Sequence, residues 1–424
     1  MLNQPWLIDP EWERNDPKLR EALDQPMLFP HTSALATSIS LHPPGFLLIR
    51  GPRQVGKSTL LRQFAKRCLA EGIEPANLSF CDAEKATDRH QLLADLEAFL
   101  LSRKGYAVLL LDEITVIPQW WLVIKLLADQ GISRNALILG TGSSAEDLRD
   151  GADLLPGRRG KRYPVDFELL PVPFRSVKDR LGIRDYLLTG GYPWSINEFL
   201  RLGFIPSHVY NLHAAGIQGT FLKRRTDAVS LGALLRYLPT HQGSPTSVSA
   251  LARDCGMGSN HTAEEYLELL DRIYAILPCT WAEPASGKPR TRKNRKFYAA
   301  DPFLFHVLNA TGRGWDSAFD DSRARLEDSA MMGKMVEGLV AAELRRRHGN
   351  GLKYWQGAKE IDFVGDAFLE VKYQNQVSPA EFDWAREILP RGKRMVVITK
   401  QTRSDAGFAK LVPLEEWLCG GEEV

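Results

Sequence analysis

The sequence predicts an α/β protein of two or three domains, with a parallel sheet in its first part. Its 424 residues suffice for that number at about 150 residues per domain. Three short apolar runs support the sheet, namely Phe46–Ile49, Ala107–Leu111 and Ala136–Gly140. Each run is followed by small or polar residues, as in buried parallel strands that carry a ligand site at their carboxyl ends. A helical pattern of apolar residues follows the first run, so strands and helices alternate.

Composition narrows the class of protein. Hydrophobic residues make up 44% and charged residues 25%, which excludes collagen-like, disulfide-scaffold and disordered chains. The 54 Lys+Arg against 52 Asp+Glu exclude a uniformly basic nucleic-acid coat but leave local basic patches open. No apolar run approaches the ~20 residues of a membrane helix, and the N-terminus lacks the pattern of a signal peptide. The scattered cysteines have no C-x-x-C pair, so we expect a cytoplasmic protein away from membranes.

A glycine-rich loop follows the first apolar run and is a complete G-x-x-x-x-G-K-S motif. Backbone N–H groups of residues 53–58 would surround phosphates at a helix N-terminus. Lys57 would reach the β- and γ-phosphates, and the Ser58 hydroxyl would bind Mg²⁺. The pattern therefore predicts an ATP site formed by Gly51, Pro52, Arg53, Gln54, Val55, Gly56, Lys57, Ser58 and Thr59.

The second and third apolar runs end in residues that complete such a site. Asp112 and Glu113 end the second run, where Asp112 would hold Mg²⁺ and Glu113 would orient the attacking water. The third run ends at Thr141, whose hydroxyl would contact the γ-phosphate or the water, with Ser143 as second choice. The alternative for this third segment is an ordinary Gly/Ser turn.

These residues resemble the Walker A, Walker B and sensor elements of AAA+ ATPases. The resemblance continues at Leu155–Arg159, Phe167–Arg175 and Leu188–Pro193. Together these segments are similar to prokaryotic AAA-type ATPases that carry a C-terminal domain of uncharacterised function with a restriction-endonuclease-like core. The resemblance implies ATP and Mg²⁺ as cofactors and a homo-oligomeric, hexameric ring. It also implies four segments, namely an AAA+ core with an N-terminal extension at 1–175, a helical lid at 176–243, a winged helix at 244–325 and a PD-(D/E)XK nuclease-like domain at 326–424.

AAA+ rings commonly complete each ATP site with an arginine from the neighbouring subunit. Arg158 and Arg159 follow the third run at a suitable distance, and an arginine stabilises transition-state charge strongly. The sequence does not choose between the two. The alternative is that both belong to a solvated basic loop at 158–162.

Residues 244–277 have helix-turn-helix spacing. A short helix at Ser247–Asp254 is followed by a turn and by a second helix that Ser259 or Asn260 can cap. Phosphates would repel the acids on the exposed face of the second helix, so packing or subunit contact is at least as good a role as DNA reading. These acids are Glu264, Glu265, Glu268 and Asp271.

A basic segment occupies the place of the wing in a winged helix. It spans residues 288–296, and a flexible basic wing can follow a phosphate backbone without reading sequence. The alternative is a solvated charged loop. The candidate DNA contacts are Lys288, Arg290, Arg292, Lys293, Arg295 and Lys296.

The C-terminal part contains an Asp…Glu-x-Lys pattern. Strands at Ile361–Val364 and Phe368–Tyr373 joined by a three-residue loop would pair 364 with 368 and place Asp362 opposite Glu370. A two-residue loop would put Glu370 on the other face. In PD-(D/E)XK nucleases such carboxylates hold Mg²⁺, and a lysine orients water. The matching positions are Glu337 from the preceding helix, Asp362, Glu370 and Lys372.

Three functions follow from these patterns. The first is an ATP-hydrolysing motor that acts on DNA in repair, recombination or mobile-element defence, with a branched-DNA translocase as one form. The second is a nucleotide-gated protein-interaction switch whose end domain is a pseudonuclease. The third is a Mg²⁺-dependent nuclease that ATP regulates. The alternative for the Asp…Glu-x-Lys pattern is a half-buried hairpin with salt-bridged charges.

Overall fold

The computed structural model describes residues 2–142, 145–161, 164–222, 224, 226–290, 292–311 and 314–420, without the side chains of residues 30, 31, 145 and 146. Ser143 and Arg162 lie outside the described residues. The chain divides into two compact units, Met1–Leu170 and Pro171–Val424. Among the described residues, no helix combines the length and apolar character that a membrane span requires.

The first unit alternates strands with helices. Its strands are β1 (Leu2–Asn3), β2 (Gly45–Arg50), β3 (Leu78–Asp82), β4 (Ala107–Asp112), β5 (Ala136–Thr141) and β6 (Asp166–Glu168). Its helices are α1 (Pro5–Ile8), α2 (Trp12–Asn15), α3 (Pro17–Leu23), α4 (Pro30–Ser38), α5 (Lys57–Ala70), α6 (Arg89–Leu101), α7 (Trp120–Asp129) and α8 (Ala145–Asp153). Short 3₁₀ turns occupy Pro75–Asn77, Ala83–Lys85 and Ile114–Val116.

These strands form one sheet in the order β1-β3-β4-β5-β2-β6. All neighbours run parallel except β1, which pairs antiparallel with β3 at one edge. The predicted parallel sheet is confirmed, and the three apolar runs are β2, β4 and β5. Their side chains are almost wholly buried, because parallel strands have helices on both faces. The carboxyl ends of β2, β5 and β4 are consecutive along one edge of the sheet.

The core of the first unit explains why the intervening helices form where they do. Apolar side chains from alternate positions of β4 and β5 pack against Leu92, Leu96 and Phe99 of α6 and Val123 and Leu127 of α7. The spacing of these positions is helical, so each helix turns one apolar face to the sheet. Asp88 caps α6 by accepting from His90 N and Gln91 N, which places its first turn.

The second unit is helical in its first part and mixed thereafter. Its helices are α9 (Ile183–Thr189), α10 (Pro193–Leu202), α11 (Ser207–Leu222), α12 (Ala228–Thr240), α13 (Val248–Asp254), α14 (Asn260–Arg272), α15 (Pro302–Ala310), α16 (Ala318–Arg325), α17 (Ser329–His348), α18 (Ala385–Ile388) and α19 (Leu414–Leu418). Its strands are β7 (Ile276–Trp281), β8 (Arg295–Ala299), β9 (Leu352–Gln356), β10 (Glu360–Ile361), β11 (Phe363–Val364), β12 (Phe368–Lys372), β13 (Met395–Thr399), β14 (Ser404–Asp405) and β15 (Ala409–Pro413). Short 3₁₀ turns occupy Phe174–Ser176 and Pro379–Phe382.

Two sheets organise the second unit, in the orders β10-β9-β7-β8 and β11-β12-β13-β15-β14. In the first, β7 pairs antiparallel with β8 and parallel with β9. β7 and β8 precede the predicted domain boundary between residues 325 and 326, and β9 and β10 follow it, so this boundary divides one sheet. In the second, β12, β13 and β15 are parallel, and the short edge strands β11 and β14 are antiparallel to their neighbours.

The predicted strand Ile361–Val364 is wrong as a single element. It is divided between two sheets, because β10 pairs with β9 while β11 pairs with β12. Asp362 lies at the change, and its carboxylate accepts a hydrogen bond of 2.9 Å from Val371 N. The predicted register after the change is confirmed, since Val364 pairs with Phe368 and Phe363 with Leu369 across a three-residue loop.

Candidate functional site

The glycine-rich loop joins β2 to α5 with a backbone that two glycines make possible. Gly51 has φ 154°, and a Cβ atom there would lie 2.1 Å from the carbonyl oxygen of Leu169. Gly56 has φ 96° and occupies the N-cap position of α5, so both positions favour glycine. The loop therefore presents backbone N–H groups at the start of a helix, as phosphate binding requires.

Lys57 is the first residue of α5 and is buried, with 6% of its surface exposed. Its Nζ donates to the carbonyl oxygens of Gly51 at 3.1 Å and Pro52 at 2.7 Å. Burial lowers the pKa of Lys57 to about 8, against the opposing effect of the Glu113 and Asp112 carboxylates. The side chain thus folds back along its own loop, within reach of the groups that line it.

Asp112 and Thr141 meet at the ends of the adjacent strands β4 and β5. The Thr141 hydroxyl donates to Asp112 Oδ1 at 2.7 Å, and the backbone N–H of Glu113 donates to Thr141 Oγ1 at 3.4 Å. Thr141 is completely buried and Asp112 nearly so. Glu113 itself has φ 55°, a left-handed conformation at the turn that follows β4. The structure therefore brings Asp112, Glu113 and Thr141 together.

The structure adds two residues that the sequence analysis missed, Arg62 and Asp16. Arg62 lies one turn after Ser58 on α5 and donates to the Ser58 carbonyl at 2.9 Å. Its guanidinium also lies 3.8 Å from Asp112 Oδ2 and donates to both oxygens of Asp16 at 2.9 and 3.0 Å. The i, i+4 spacing from Ser58 was a usable signal for Arg62. No sequence signal pointed to Asp16, because it is 46 residues from Arg62 along the chain.

A magnesium ion fits the chemistry of this region. Ser58 offers a hydroxyl and Asp112 a carboxylate, which are the hard oxygen ligands that Mg²⁺ prefers. Arg62 donates to the Ser58 carbonyl, and the same nitrogen lies 3.8 Å from Asp112 Oδ2, which is beyond hydrogen-bond distance, so the arginine does not hold this carboxylate oxygen. Mg²⁺ usually takes one or two protein ligands together with substrate phosphates, so this small ligand set is sufficient.

The two candidate finger arginines differ in their surroundings. Arg159 is mostly buried, donates to both oxygens of Asp166 at 2.8 and 3.0 Å, and donates to the Val165 carbonyl at 2.8 Å. Arg158 is more exposed and pairs with Asp129 at 2.6 Å. The Arg159 network supports the local fold, because Arg50 from β2 also contacts Asp166. Arg158 is the residue with the more accessible guanidinium.

The basic segment at residues 288–296 follows β7 and leads into β8. Arg290 and Lys293 lie over the Trp281 ring, 5.2 and 5.6 Å from its centre, and Arg290 also lies 3.4 Å from a Glu283 oxygen. Stacking on an aromatic ring orders a cation without neutralising it. Lys288 and Arg292 are likewise exposed, so this part of the segment presents cations to solvent.

Two members of the predicted DNA contact set do not fit that role. Lys296 is completely buried in β8, where its ammonium pairs with Glu337, Glu360 and Asp362, so the prediction that it contacts DNA is wrong. Arg295 is half-buried and bound to both carboxylate oxygens of Glu264 at 2.5 Å. Arg295 and Lys296 belong to β8, which is packed on both faces, whereas Arg290 precedes this strand and is exposed.

The first of the two helices before the basic segment lies where the sequence predicts it, whereas the second, α14, ends at Arg272 and Leu277 belongs to β7. Ser247 caps α13 by accepting from Ala250 N, and Ser259 rather than Asn260 caps α14 by accepting from Thr262 N. Glu265 and Glu268 on α14 are exposed, as the helical spacing predicted.

The predicted nuclease-like residues lie in one cluster in the second unit. Glu337 on α17 and Asp362 contact the same Lys296 ammonium at 3.1 and 3.0 Å. Glu370 and Lys372 on β12 pair at 2.7 Å. The sequence analysis did not place Lys296 here, nor Glu360, whose carboxylate contacts the same ammonium at 2.5 Å. Among the residues that the structure describes, no group of three or more His, Cys, Asp or Glu side chains has a metal-holding arrangement.

Burial and mutual repulsion shift the acid groups of this cluster. Burial raises the pKa of Glu370 to about 8, with a further contribution from the Asp362 carboxylate against the opposing Lys372 ammonium. Burial also raises the pKa of Glu337 to about 7, again with Asp362 adding to the shift. Glu370 Oε2 is buried and has no hydrogen-bond partner among the described residues, which adds to the cost of ionising this carboxyl group.

Two stretches of this chain match known protein families. Residues 44–178 match a family described as an AAA domain, and residues 180–315 match a domain of unknown function. The carboxylate cluster lies outside both stretches except for Lys296. An uncharacterised protein of Haemophilus influenzae is 25% identical over 407 residues, which cover 88% of this chain and 93% of that protein. An uncharacterised protein of Mycobacterium tuberculosis is 27% identical over 349 residues, covering 78% and 69% respectively.

Solved structures give only distant likenesses. The Walker-type ATPase PABY2304 of Pyrococcus abyssi is 19% identical with a TM-score of 0.40, over 70% of this chain and 95% of that protein. The Orc1 protein of Aeropyrum pernix in complex with DNA is 14% identical with a TM-score of 0.27, over 74% and 97%. The match at residues 44–178 agrees with the glycine-rich loop, the Asp112–Thr141 pair and the parallel sheet of the first unit. This part of the chain therefore matches an AAA domain and has the parallel-sheet fold of a P-loop ATPase.

Proposed function

We propose that the chain is an AAA+ ATPase that hydrolyses ATP to ADP and phosphate and uses this reaction to move on DNA. The observation that carries the proposal is the arrangement at the carboxyl edge of the first sheet. There the Lys57 loop follows β2, and the hydrogen-bonded pair of Asp112 and Thr141 ends the adjoining strands β4 and β5. Repair, recombination or mobile-element defence would be the setting.

Each residue of this edge has a role in the proposed reaction. The Lys57 ammonium donates to two loop carbonyls and would exchange them for β- and γ-phosphate oxygens, which are stronger acceptors. Glu113 would orient the attacking water, and Thr141 holds the Asp112 carboxylate in place by its hydrogen bond. Ser58 and Asp112 would hold Mg²⁺, which neutralises charge on the phosphates when it is bound.

We propose Arg158 as the arginine that completes the ATP site of a neighbouring subunit in a hexameric ring. Its guanidinium is about one-third exposed and bound to one exposed acid, Asp129. Water screens an exposed pair of this kind and makes it weak, so a neighbouring γ-phosphate would compete for the guanidinium. Arg159 would have to leave a buried two-bond pair with Asp166, which is more costly.

Cations in the second unit support DNA as the partner. A cavity of about 980 Å³ is lined by Arg175, Arg347, Lys353 and Lys393, with Asp366 as the carboxylate among the described lining residues. Arg175 and Arg347 both pair with the buried Glu343 at 2.9 Å. Residues 284–287 also line it and lead directly into the basic segment, so the two cationic regions adjoin. A continuous cationic surface binds a phosphate backbone without reading base sequence.

A nucleotide-gated protein-interaction switch is the second candidate. The exposed acids Glu265 and Glu268 on α14 favour it, because a phosphate backbone would be repelled by this face. In the switch, ATP binding would expose or hide a surface for a protein partner, and DNA would not change the rate of hydrolysis.

Phosphate release across a panel of single-stranded, duplex, forked and four-way DNA tests the proposal. We expect hydrolysis that at least one of these structures stimulates several-fold, and that falls to background in Lys57→Ala. Lys66→Ala is the matched control, because Lys66 is on the same helix but exposed and paired with Glu13. Hydrolysis that no DNA structure stimulates would overturn the motor and favour the switch.

Measurement of the native mass tests the proposed ring. Native mass should increase to a closed oligomer when a non-hydrolysable ATP analogue is added, because the nucleotide then joins neighbouring subunits. A chain that stays monomeric with the analogue at saturating concentration would contradict the ring and with it the role of Arg158.

A further inference from the structure

Lys296 provides the positive charge at the centre of the carboxylate cluster in the second unit. Its Nζ lies 3.1 Å from Glu337 Oε1, 3.0 Å from Asp362 Oδ1 and 2.5 Å from Glu360 Oε1. An ammonium group has three hydrogen-bond donors, and each of them can meet one carboxylate here. The side chain is 0% exposed, so water does not compete for these donors.

The fold holds this lysine firmly in place. Lys296 lies within β8, where it pairs with Cys279 of β7, and its Nζ lies 5.3 Å from the centre of the Tyr354 ring. Tyr298, two residues further along the same strand, donates to Glu337 Oε1 at 2.6 Å. The ammonium and one of its acids are therefore anchored by the same strand.

The second oxygen of Asp362 is also bound. It accepts from Val371 N at 2.9 Å while the first oxygen contacts Lys296. Both carboxylate oxygens that a divalent cation would need from this residue thus have partners within the protein. The other lysine of the cluster is Lys372, whose Nζ lies 2.7 Å from Glu370 Oε1.

The Mg²⁺ that a PD-(D/E)XK site implies does not fit these residues. Glu337 and Asp362 would be two of its ligands, and each already binds an ammonium that would repel a second cation. Mg²⁺ also demands near-octahedral oxygen ligands at about 2.0–2.1 Å, whereas the described cluster converges on a nitrogen atom. A buried lysine is a poor exchange partner, because its departure would leave several carboxylates without compensation.

We propose that Lys296 is a built-in cation that takes the place of the divalent metal, so that the cluster is a metal-free charge network. The C-terminal part of the second unit then keeps the nuclease-like arrangement of acids without binding the metal ion that cleavage would require. Its role is binding or structural support. Asp362 links this cation to the second sheet, because one of its oxygens contacts Lys296 of β8 and the other accepts from Val371 N of β12.

Binding of Mn²⁺ to the full chain without nucleotide tests this proposal. Asp112→Asn is present in every sample, so that the ATP site contributes no metal ligand, and bound Mn²⁺ is measured by electron paramagnetic resonance. In the parent chain, adding Asp362→Asn should leave the amount of bound Mn²⁺ unchanged, because Asp362 holds no metal there. Lys296→Met, which keeps the length of the side chain and removes its charge, should bind Mn²⁺ at least tenfold more tightly than the parent. Adding Asp362→Asn to Lys296→Met should abolish this gain.

Each outcome of the Mn²⁺ measurement either supports or overturns the role of Lys296 as the built-in cation. A site in the parent chain that Asp362→Asn removes would show that metal displaces the lysine and would overturn the proposal. A folded Lys296→Met chain without Mn²⁺ affinity would also overturn it, because the acids would then lack a metal-binding geometry. Circular dichroism checks folding, and if Lys296→Met does not fold, the parent and Asp362→Asn samples still distinguish the two cases. The test uses neither ATP nor DNA, so it is independent of the proposed motor.

Discussion

The hydroxyl of Thr141 donates a 2.7 Å hydrogen bond to Oδ1 of Asp112, which is 29 residues earlier in the chain. Both residues end neighbouring parallel strands, and the backbone N–H of Glu113 donates to the same hydroxyl. One side chain thus fixes the carboxylate proposed to hold Mg²⁺ and the backbone of the residue proposed to orient water. The strand order places β5 between β4 and β2, which makes this contact possible.

Thr141→Val should reduce ATP hydrolysis about tenfold to a hundredfold, because the Asp112 carboxylate loses a charge-assisted hydrogen bond. It should also lower the free energy of unfolding by about 1–3 kcal/mol, since a buried partner is left unsatisfied. Phosphate release and thermal unfolding measure the two effects. Thr141→Ser keeps the hydroxyl and should retain most of the activity. Equal activity of the Val and Ser variants would contradict the role of the hydrogen bond.

Arg158→Ala should leave thermal stability and ATP binding nearly unchanged and reduce hydrolysis on the order of a thousandfold, because a trans arginine acts on transition-state charge. Mixing Arg158→Ala with Lys57→Ala subunits should restore part of the rate, since the second chain supplies the arginine and the first the phosphate loop. Failure of the mixture to recover any activity would contradict action between subunits.

Arg159→Ala separates structural support from catalysis. We expect a loss of about 1–2 kcal/mol in the free energy of unfolding, because Asp166, which is one-third exposed, loses a two-bond partner but keeps its contact with Arg50. Chemical denaturation measures it. A stable Arg159→Ala chain with impaired hydrolysis would instead indicate that Arg159 is the arginine acting between subunits.

Charge reversal in the basic segment tests the DNA surface. Arg290→Glu combined with Lys293→Glu should weaken duplex binding at least tenfold and reduce the salt dependence of the affinity by about 0.9 for each phosphate that the protein no longer neutralises. Fluorescence anisotropy at several salt concentrations measures both. Lys104→Glu combined with Lys178→Glu makes the same net charge change at two exposed lysines outside the segment. An equal decrease in affinity for this control would show that net charge alone decides the binding.

Stability should depend on pH through Glu370, whose pKa burial raises to about 8. As the pH rises from about 5 to about 8, the unfolded chain releases this proton while the folded chain keeps it, so the folded state loses stability over that range. Glu370→Gln removes the titrating carboxyl group and with it this loss of stability. The melting temperature of the variant relative to the parent should therefore be higher at pH 8 than at pH 5.5.

Glu387→Gln is the control for this measurement, because Glu387 is an exposed acid of the same unit. Its melting temperature relative to the parent should be the same at both pH values. A Glu370→Gln difference that is likewise constant would show that this carboxyl group titrates alike in the folded and unfolded chains.

The sequence determined the elements that depend on local pattern. The three apolar runs and the G-x-x-x-x-G-K-S loop follow from spacing and residue type within a few residues. The same spacing limits the α14 cap to Ser259 or Asn260, and the structure assigns it to Ser259. The hairpin register that sets Val364 against Phe368 was also predictable, because loop length determines which residues oppose each other.

Tertiary structure alone decided the contacts between distant segments. Asp16 reaches Arg62 across 46 residues, and Lys296 reaches Asp362 across 66. In the sequence Lys296 is one more cation of a basic run, and only its position within β8 takes it from the surface into the carboxylate cluster. Charge in a sequence is counted along the chain, whereas its effect depends on burial and on which opposite charges the fold places within hydrogen-bond distance.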